Sequence, residues 1–378
     1  MIYNDFHDLK ISALGMGCMR LPCVNGDNKC IDMAATKEMI AYAFEKGINY
    51  FDTAWGYHGG MSEPVMGEVL SEYPRESFFL ATKFPGYDAN LLGRVEEIFE
   101  KQLERCRTEY FDFYLFHNLC EKNVDGYLDP KYGIFDYLMK QKKNGRIKHL
   151  GFSTHGSLHT MKRFLEAYGK DMEFCQLQIN WLDWDLQNAK AKVELVSSYG
   201  IPVFVMEPVR GGKIATLAPA YEEKLRALRP NATMAEWAFR FVQSLPEVVM
   251  TLSGMSNFDQ LKENIETYGE SKPLTDAEMN ALFEISAEMI AKSAIPCTSC
   301  RYCTDRCPMK LDIPLLIERY NAYAYSEDGV IDPKAMESIE EGMRPSACVG
   351  CRSCEELCPQ GIKISEVMAD FAERSGNA

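Results

Sequence analysis

No run in this 378-residue chain stays apolar for the ~20 residues a bilayer-crossing helix needs, so no membrane-spanning helix is expected. The opening, Met1 to Lys10, is polar and acidic, so no secretory leader is expected. Positive charge is in short supply: 41 Lys and Arg stand against 55 Asp and Glu, a net charge of -14. Nucleic acid selects basic surfaces, and this balance argues against it as a partner. No Gly-x-Gly-x-x-Gly follows the first candidate strand, which counts against a doubly wound dinucleotide-binding sheet. Low-complexity segments are also absent.

What is there begins with ordinary globular composition, 46% hydrophobic and 25% charged. The length allows two or three domains. Eight short apolar runs read as strands: 14–19, 48–54, 78–84, 111–117, 147–153, 174–180, 201–207 and 248–254. Segments with helical periodicity lie between them, such as 36–46, 95–105 and 158–168. Strand and helix alternating eight times predicts an α/β fold, a parallel (β/α)8 TIM barrel over residues 1–274. Residues 1–12 precede the first barrel strand and fit a hairpin that closes the barrel bottom. Residues 275–296 read as a linker helix.

The chain has fourteen cysteines, and eight fall in two runs of one spacing. Cys297, Cys300, Cys303 and Cys307 precede Pro308, and Cys348, Cys351, Cys354 and Cys358 precede Pro359. The x2 spacings bring three thiolates to one face, and the proline fixes φ and turns the chain away. The run C-x2-C-x2-C-x3-C-P holds 4Fe-4S clusters in bacterial ferredoxins, with the fourth cysteine serving the other cluster. One cluster is then expected on Cys297, Cys300, Cys303 and Cys358, the other on Cys348, Cys351, Cys354 and Cys307. Zinc is the competing ligand for paired C-x2-C units, but the doubled spacing with its proline counts against it. Residues 297–378 are thus expected to form a small two-cluster ferredoxin-like domain. It reads as mainly helical, with a helix over 313–325 and a helix start at Asp332-Pro333. Reduced thiols, clusters and the polar start point to the cytoplasm.

Chemistry in such a barrel belongs at the C-terminal ends of its strands. The second barrel strand ends Phe51-Asp52-Thr53-Ala54 and leads to Trp55-Gly56-Tyr57. The third ends Thr82-Lys83 and the fourth ends at His117. These four side chains suit carbonyl reduction. Tyr57 is a proton donor, Lys83 tunes its phenol, Asp52 holds Lys83, and His117 orients the carbonyl oxygen. The set, with Ser62-Glu63 after the tyrosine, resembles the aldo-keto reductase tetrad in order. The resemblance runs from Met1 to about Tyr268.

That resemblance implies a nicotinamide cofactor, NAD or NADP. It assigns carboxamide contacts to Ser153, Thr154, Gln176 and Asn180, with Gln178 a rival to Gln176. It assigns phosphate-side contacts to Arg210 and Gly211, with Lys213 adding charge, and to Ser253, Gly254, Gln260 and Asn264. Two features depart from the family. The ring-stacking aromatic is replaced by Met206, and the 2′-phosphate cations fall at Gly254 and Gln260. His58 after Tyr57 is a third difference, fit to bond substrate or to cap the next helix. Trp55, Trp181 and Trp184 allow an apolar pocket wall.

The whole chain resembles bacterial and archaeal proteins that join such a barrel to a two-cluster module. Expected partners are a small carbonyl or alcohol substrate and a ferredoxin or flavodoxin. Nicotinamide moves hydrides while clusters move single electrons, so coupling calls for a flavin or a radical. No flavin signature is present, although a barrel can hold a flavin by backbone contacts. Three readings follow: a nicotinamide-dependent reductase with clusters as relay, sensor or structural element; a ferredoxin- or flavin-linked reductase without nicotinamide; and a non-catalytic docking subunit.

Overall fold

The computed structural model describes residues 1–293, 295, 297, 303–323, 331, 334–337, 339–358 and 361–376. Cys300, Pro359, and the Asp332-Pro333 helix start lie outside the described residues. The chain divides into two compact units, Met1–Asn180 with Ala189–Ala277, and Trp181–Asn188 with Glu278–Ala378.

The first unit opens with a hairpin of β1 (Tyr3–Phe6) and β2 (Leu9–Ser12). Eight parallel strands follow: β3 (Leu14–Gly17), β4 (Tyr50–Asp52), β5 (Phe79–Phe84), β6 (Phe111–Leu119), β7 (Ile147–Thr154), β8 (Phe174–Gln178), β9 (Val203–Met206) and β10 (Val248–Ser253). They close as a barrel, with β10 pairing to β3. Helices Met33–Glu45, Val95–Arg105 and Leu158–Tyr168 lie where periodicity put them. Asp32 and Ser157 cap two of them by accepting from Ala35 and Thr160 amides.

Alternation along the strands decides what fills the barrel. Tyr50, Ala81, Phe113, Leu115, Phe174, Phe204, Met250 and Leu252 form one buried cluster. Gly15 shares this interior because a Cβ there would stand 2.8 Å from Met250 Sδ. Two residues further along the same faces come Asp52, Lys83, His117, Gln176, Met206 and Gly254. The side-chain period of two thus puts an apolar floor under a mainly polar ring.

The hairpin seals the other end. Phe6 is buried in the same cluster, with its ring 5.4 Å from those of both Phe113 and Phe204. Ile2 N donates to Tyr268 O at 2.9 Å, which ties the hairpin to the last part of this unit.

The second unit contains nearly all of the helix Asp276–Ser293. It lies within the expected linker helix of 275–296, and Asn321 holds both backbone groups of Ile295 at 2.7 and 2.8 Å. Helices Ile313–Tyr323 and Ile364–Arg374 carry the core. Their buried residues recur at helical spacing: Ile313, Leu316, Ile317 and Tyr320, then Ile364, Val367, Met368 and Phe371. Tyr320 OH donates to Asp370 at 2.6 Å and its ring meets Phe371 edge-on. No helix among the described residues is long and apolar enough to cross a membrane.

If Phe6 is the barrel's plug, Phe6→Ala should cost about 3 kcal/mol of stability, the usual scale for an emptied aromatic site. Phe6→Leu should cost clearly less. Urea unfolding midpoints of the two variants measure the difference.

Candidate active site and cluster ligands

Strand register brings the acidic and basic members of the tetrad together. Asp52 pairs with Ala81, and Lys83 is the next inward residue on that strand. Lys83 is 1% exposed. Its Nζ donates to Asp52 Oδ1 at 2.5 Å, to Thr53 O at 2.8 Å and to Tyr57 OH at 3.4 Å. Gln176 Nε2 donates to the other Asp52 oxygen at 3.4 Å. Burial drives the Asp52 carboxyl above its ordinary range, against the pull of Lys83. Burial also holds the Tyr57 phenol above 10, with the Asp52 charge adding to it.

His117 completes the group on the next inward position of β6. Its ring stands edge-on to Tyr57, with centroids 5.9 Å apart. Burial and the Lys83 charge keep the imidazole neutral. Its buried Nδ1 has no hydrogen-bond partner among the described residues. A ring proton on Nε2 would make the imidazole a donor. A neutral phenol beside an ammonium, with an imidazole donor facing it, can protonate and polarise a carbonyl oxygen.

The loop carrying Tyr57 is locked from outside the tetrad. His58 has φ 55 and is buried. Its Nδ1 meets Asn28 O at 2.7 Å, and its Nε2 accepts from Leu21 N at 3.1 Å. His58 therefore neither reaches for substrate nor caps a helix: both ring nitrogens fasten the 21–28 loop. Ser62 and Glu63 act as a brace. Ser62 Oγ donates to Cys18 O at 2.9 Å, and Glu63 accepts from Thr82 and Gln102, both at 2.7 Å.

The proposed cofactor residues divide by what already occupies them. Ser153 accepts from Asn118 N at 2.8 Å, which leaves its own O–H to donate. Thr154 donates to Leu119 O at 2.9 Å and accepts from Gly156 N at 3.0 Å, which leaves one acceptor site on its hydroxyl. Asn180 donates to Glu207 O at 3.0 Å. Asn264 donates to Ser253 at 3.0 Å, and Gln260 accepts from Ser256 N at 2.8 Å. Met206 ends β9 on the inward face, and Arg210 is buried with φ 52. Trp55 lies under Arg105 at 3.8 Å, whereas Trp181 and Trp184 belong to the second unit.

Arg20 is the residue that sequence reading missed. A Cβ on Gly211 would stand 3.0 Å from Arg20 Nη2, and one on Gly254 would stand 3.1 Å from its Cβ and Cδ. Arg20 thus lies across two glycines of the later loops and puts a cation in their cradle. The available signal was an arginine just past the C-terminal end of β3, where active-site loops begin. The cradle, the arginine and the Ser153 hydroxyl fit an anionic dinucleotide.

In the second unit, Cys307, Cys348, Cys351 and Cys354 line one small cavity, walled by residues such as Leu311, Ile313 and Met368. The fourth cysteine of the first run stands among the first three of the second. Cys297, Cys303 and Cys358 border the same hydrophobic core. Four sulfurs around an apolar cavity fit a 4Fe-4S cluster.

Comparison with known proteins agrees with both parts. The aldo/keto reductase family pattern matches residues 13–287, and a 4Fe-4S dicluster domain matches residues 296–362. An uncharacterized oxidoreductase of Bacillus subtilis is 26% identical, over 76% of this chain and 96% of its own. An NADH-specific methylglyoxal reductase of Escherichia coli is 24% identical, over 74% and 96%. The holo form of an aldo-keto reductase from Bacillus halodurans superposes with a TM-score of 0.60, at 25% identity, over 75% of this chain and 96% of that one. The family pattern runs through all eight barrel strands and most of the chain: this protein belongs to the aldo/keto reductase family, as an oxidoreductase that also carries an iron–sulfur domain.

Proposed function

We propose that the chain reduces a small carbonyl compound, or oxidises the matching alcohol, with a nicotinamide cofactor. The observation that carries this reading is Lys83, held between Asp52 and the Tyr57 hydroxyl. Tyr57 gives its proton to the carbonyl oxygen. Lys83 stabilises the phenolate left behind, and Asp52 holds Lys83 in place. His117 donates a hydrogen bond to the same oxygen. Nicotinamide, when bound, supplies the hydride. Ser153, Thr154, Gln176 and Asn180 are assigned to its carboxamide, and Met206 to the face of its ring. Arg20, Arg210, Gly211, Ser253, Gly254, Gln260 and Asn264 are assigned to the phosphate side.

The eight run cysteines are assigned to two 4Fe-4S clusters, crossed between runs. The shared cavity of Cys307 with Cys348, Cys351 and Cys354 supports the crossing. A ferredoxin or flavodoxin is the partner this module fits, and a cytoplasmic setting suits its reduced thiols. A second reading removes nicotinamide and has the clusters feed a flavin or the substrate directly. Met206 in place of a stacking aromatic favours it.

Tyr57→Phe should lower reduction of a test carbonyl such as methylglyoxal by at least ~10²-fold with the fold unchanged. Near-normal turnover would remove the assignment. This variant is cleaner than Lys83→Met, which strands a buried carboxylate at a cost of about 3–5 kcal/mol.

Cofactor binding tests the phosphate side. Neither Gly254 nor Gln260 offers a cation and Arg20 is assigned to the pyrophosphate that both dinucleotides share, so NADPH preference should stay below about tenfold, or NADH should be preferred, as one charge-assisted hydrogen bond is worth ~1.5–3 kcal/mol. Arg20→Ala should weaken binding of both dinucleotides by about tenfold or more, on the same scale. Titration followed by NAD(P)H fluorescence reads both effects without turnover.

Metal analysis tests the clusters. Anaerobically prepared protein should contain about eight irons and about eight labile sulfides per chain, as two 4Fe-4S clusters require. Zinc in place of sulfide would overturn the assignment.

A further inference from the structure

The end of the barrel opposite the tetrad carries its own convergent group. His7 lies in the turn of the β1–β2 hairpin, His149 near the start of β7, and Glu173 just before β8. His149 Nδ1 is 3.0 Å from Glu173 Oε1, and His7 Nε2 is 3.8 Å from the same oxygen. All three donor atoms lie within 4.8 Å of one another.

Hydrogen bonding explains only part of this. The contact from His7 is too long for a hydrogen bond. Glu173 is already neutralised, because Lys142 Nζ lies 2.6 Å from its Oε2. Leu150 N also donates to Oε2 at 3.2 Å. These two contacts leave Oε1 facing the imidazoles. The two rings lie nearly parallel, 6° from coplanar stacking and 5.5 Å apart. His7 also has φ 52 at a hairpin position where glycine is usual. His149 is fixed by Phe113 on its ring face and by Phe6 at its edge.

We infer that His7 Nε2, His149 Nδ1 and Glu173 Oε1 bind one zinc ion, with water completing its coordination. Two imidazoles and a carboxylate suit zinc in donor type. Tetrahedral bonds near 2.0–2.1 Å set donors about 3.3 Å apart. The separations of 3.0 and 3.8 Å from Glu173 bracket that value, and the two imidazole nitrogens lie within 4.8 Å of each other. Leu150 N orients the carboxylate from behind, as outer partners of metal ligands do, whereas the Lys142 ammonium competes with the ion for its charge. The ion fastens the hairpin plug to the strands it covers. It binds the folded chain and so raises stability by mass action.

The test uses anaerobically purified full-length protein with its clusters intact, dialysed against micromolar zinc chloride. Wild type should take up about one zinc per chain more than His7→Ala, with equal iron in both. Zinc should raise the thermal midpoint of wild type and leave that of His7→Ala unchanged. His7 is exposed at a turn, so this variant should fold. Lys142→Ala removes a repelling charge and should tighten zinc binding severalfold. Equal zinc uptake in wild type and His7→Ala, or a midpoint indifferent to zinc, would overturn the site. So would a Lys142→Ala variant that is destabilised and binds zinc no better.

Discussion

The buried pair of Lys83 and Asp52 is the constraint around which the barrel mouth is arranged. Burying two charges costs several kcal/mol each, and only close geometry with further hydrogen bonds offsets it. The neighbours supply those bonds. Thr53 O takes a second Lys83 proton, and Gln176 reaches the far oxygen of Asp52. Tyr57 is then left beside a cation, with its phenol held protonated by burial. The Ser62-Glu63 brace and His58 hold the loop that places it.

The parts legible in advance follow from short-range rules. An alternating strand needs only its own residues to aim Asp52, Lys83 and His117 inward, so the tetrad could be read from the order of strand ends. The cysteine runs were legible for a similar reason, since their spacing is local. The 95–105 and 158–168 helices matched because their apolar faces repeat at helical period. What sequence hid depends on contacts made across the barrel mouth. Arg20 gains meaning only when β3 closes against β10 and the later glycines lie beneath its stem. His58 looked like a site residue until the 21–28 loop occupied both its nitrogens. The ties of the Thr154 hydroxyl to Leu119 and Gly156 were hidden in the same way.

The two units pose one chemical question. The proposed tetrad suits a two-electron reduction, in which a proton goes to the carbonyl oxygen as a hydride goes to its carbon. The cysteine module suits one-electron carriers. The glycine cradle under Arg20 supports a dinucleotide in the first unit, whereas Met206 leaves the ring face without an aromatic partner. The central claim is that hydride reaches the substrate in one step at the tetrad, without passing through a flavin or the clusters.

Isotope transfer tests that claim most directly. Methylglyoxal is reduced anaerobically with NADH deuterated at C4, in the stereochemistry that the protein accepts, and the product is examined by mass spectrometry. Direct transfer puts the deuterium on the former carbonyl carbon, with none lost to water. Product that carries only solvent hydrogen at that carbon, while deuterium appears in the water, would contradict it and favour a flavin or cluster route.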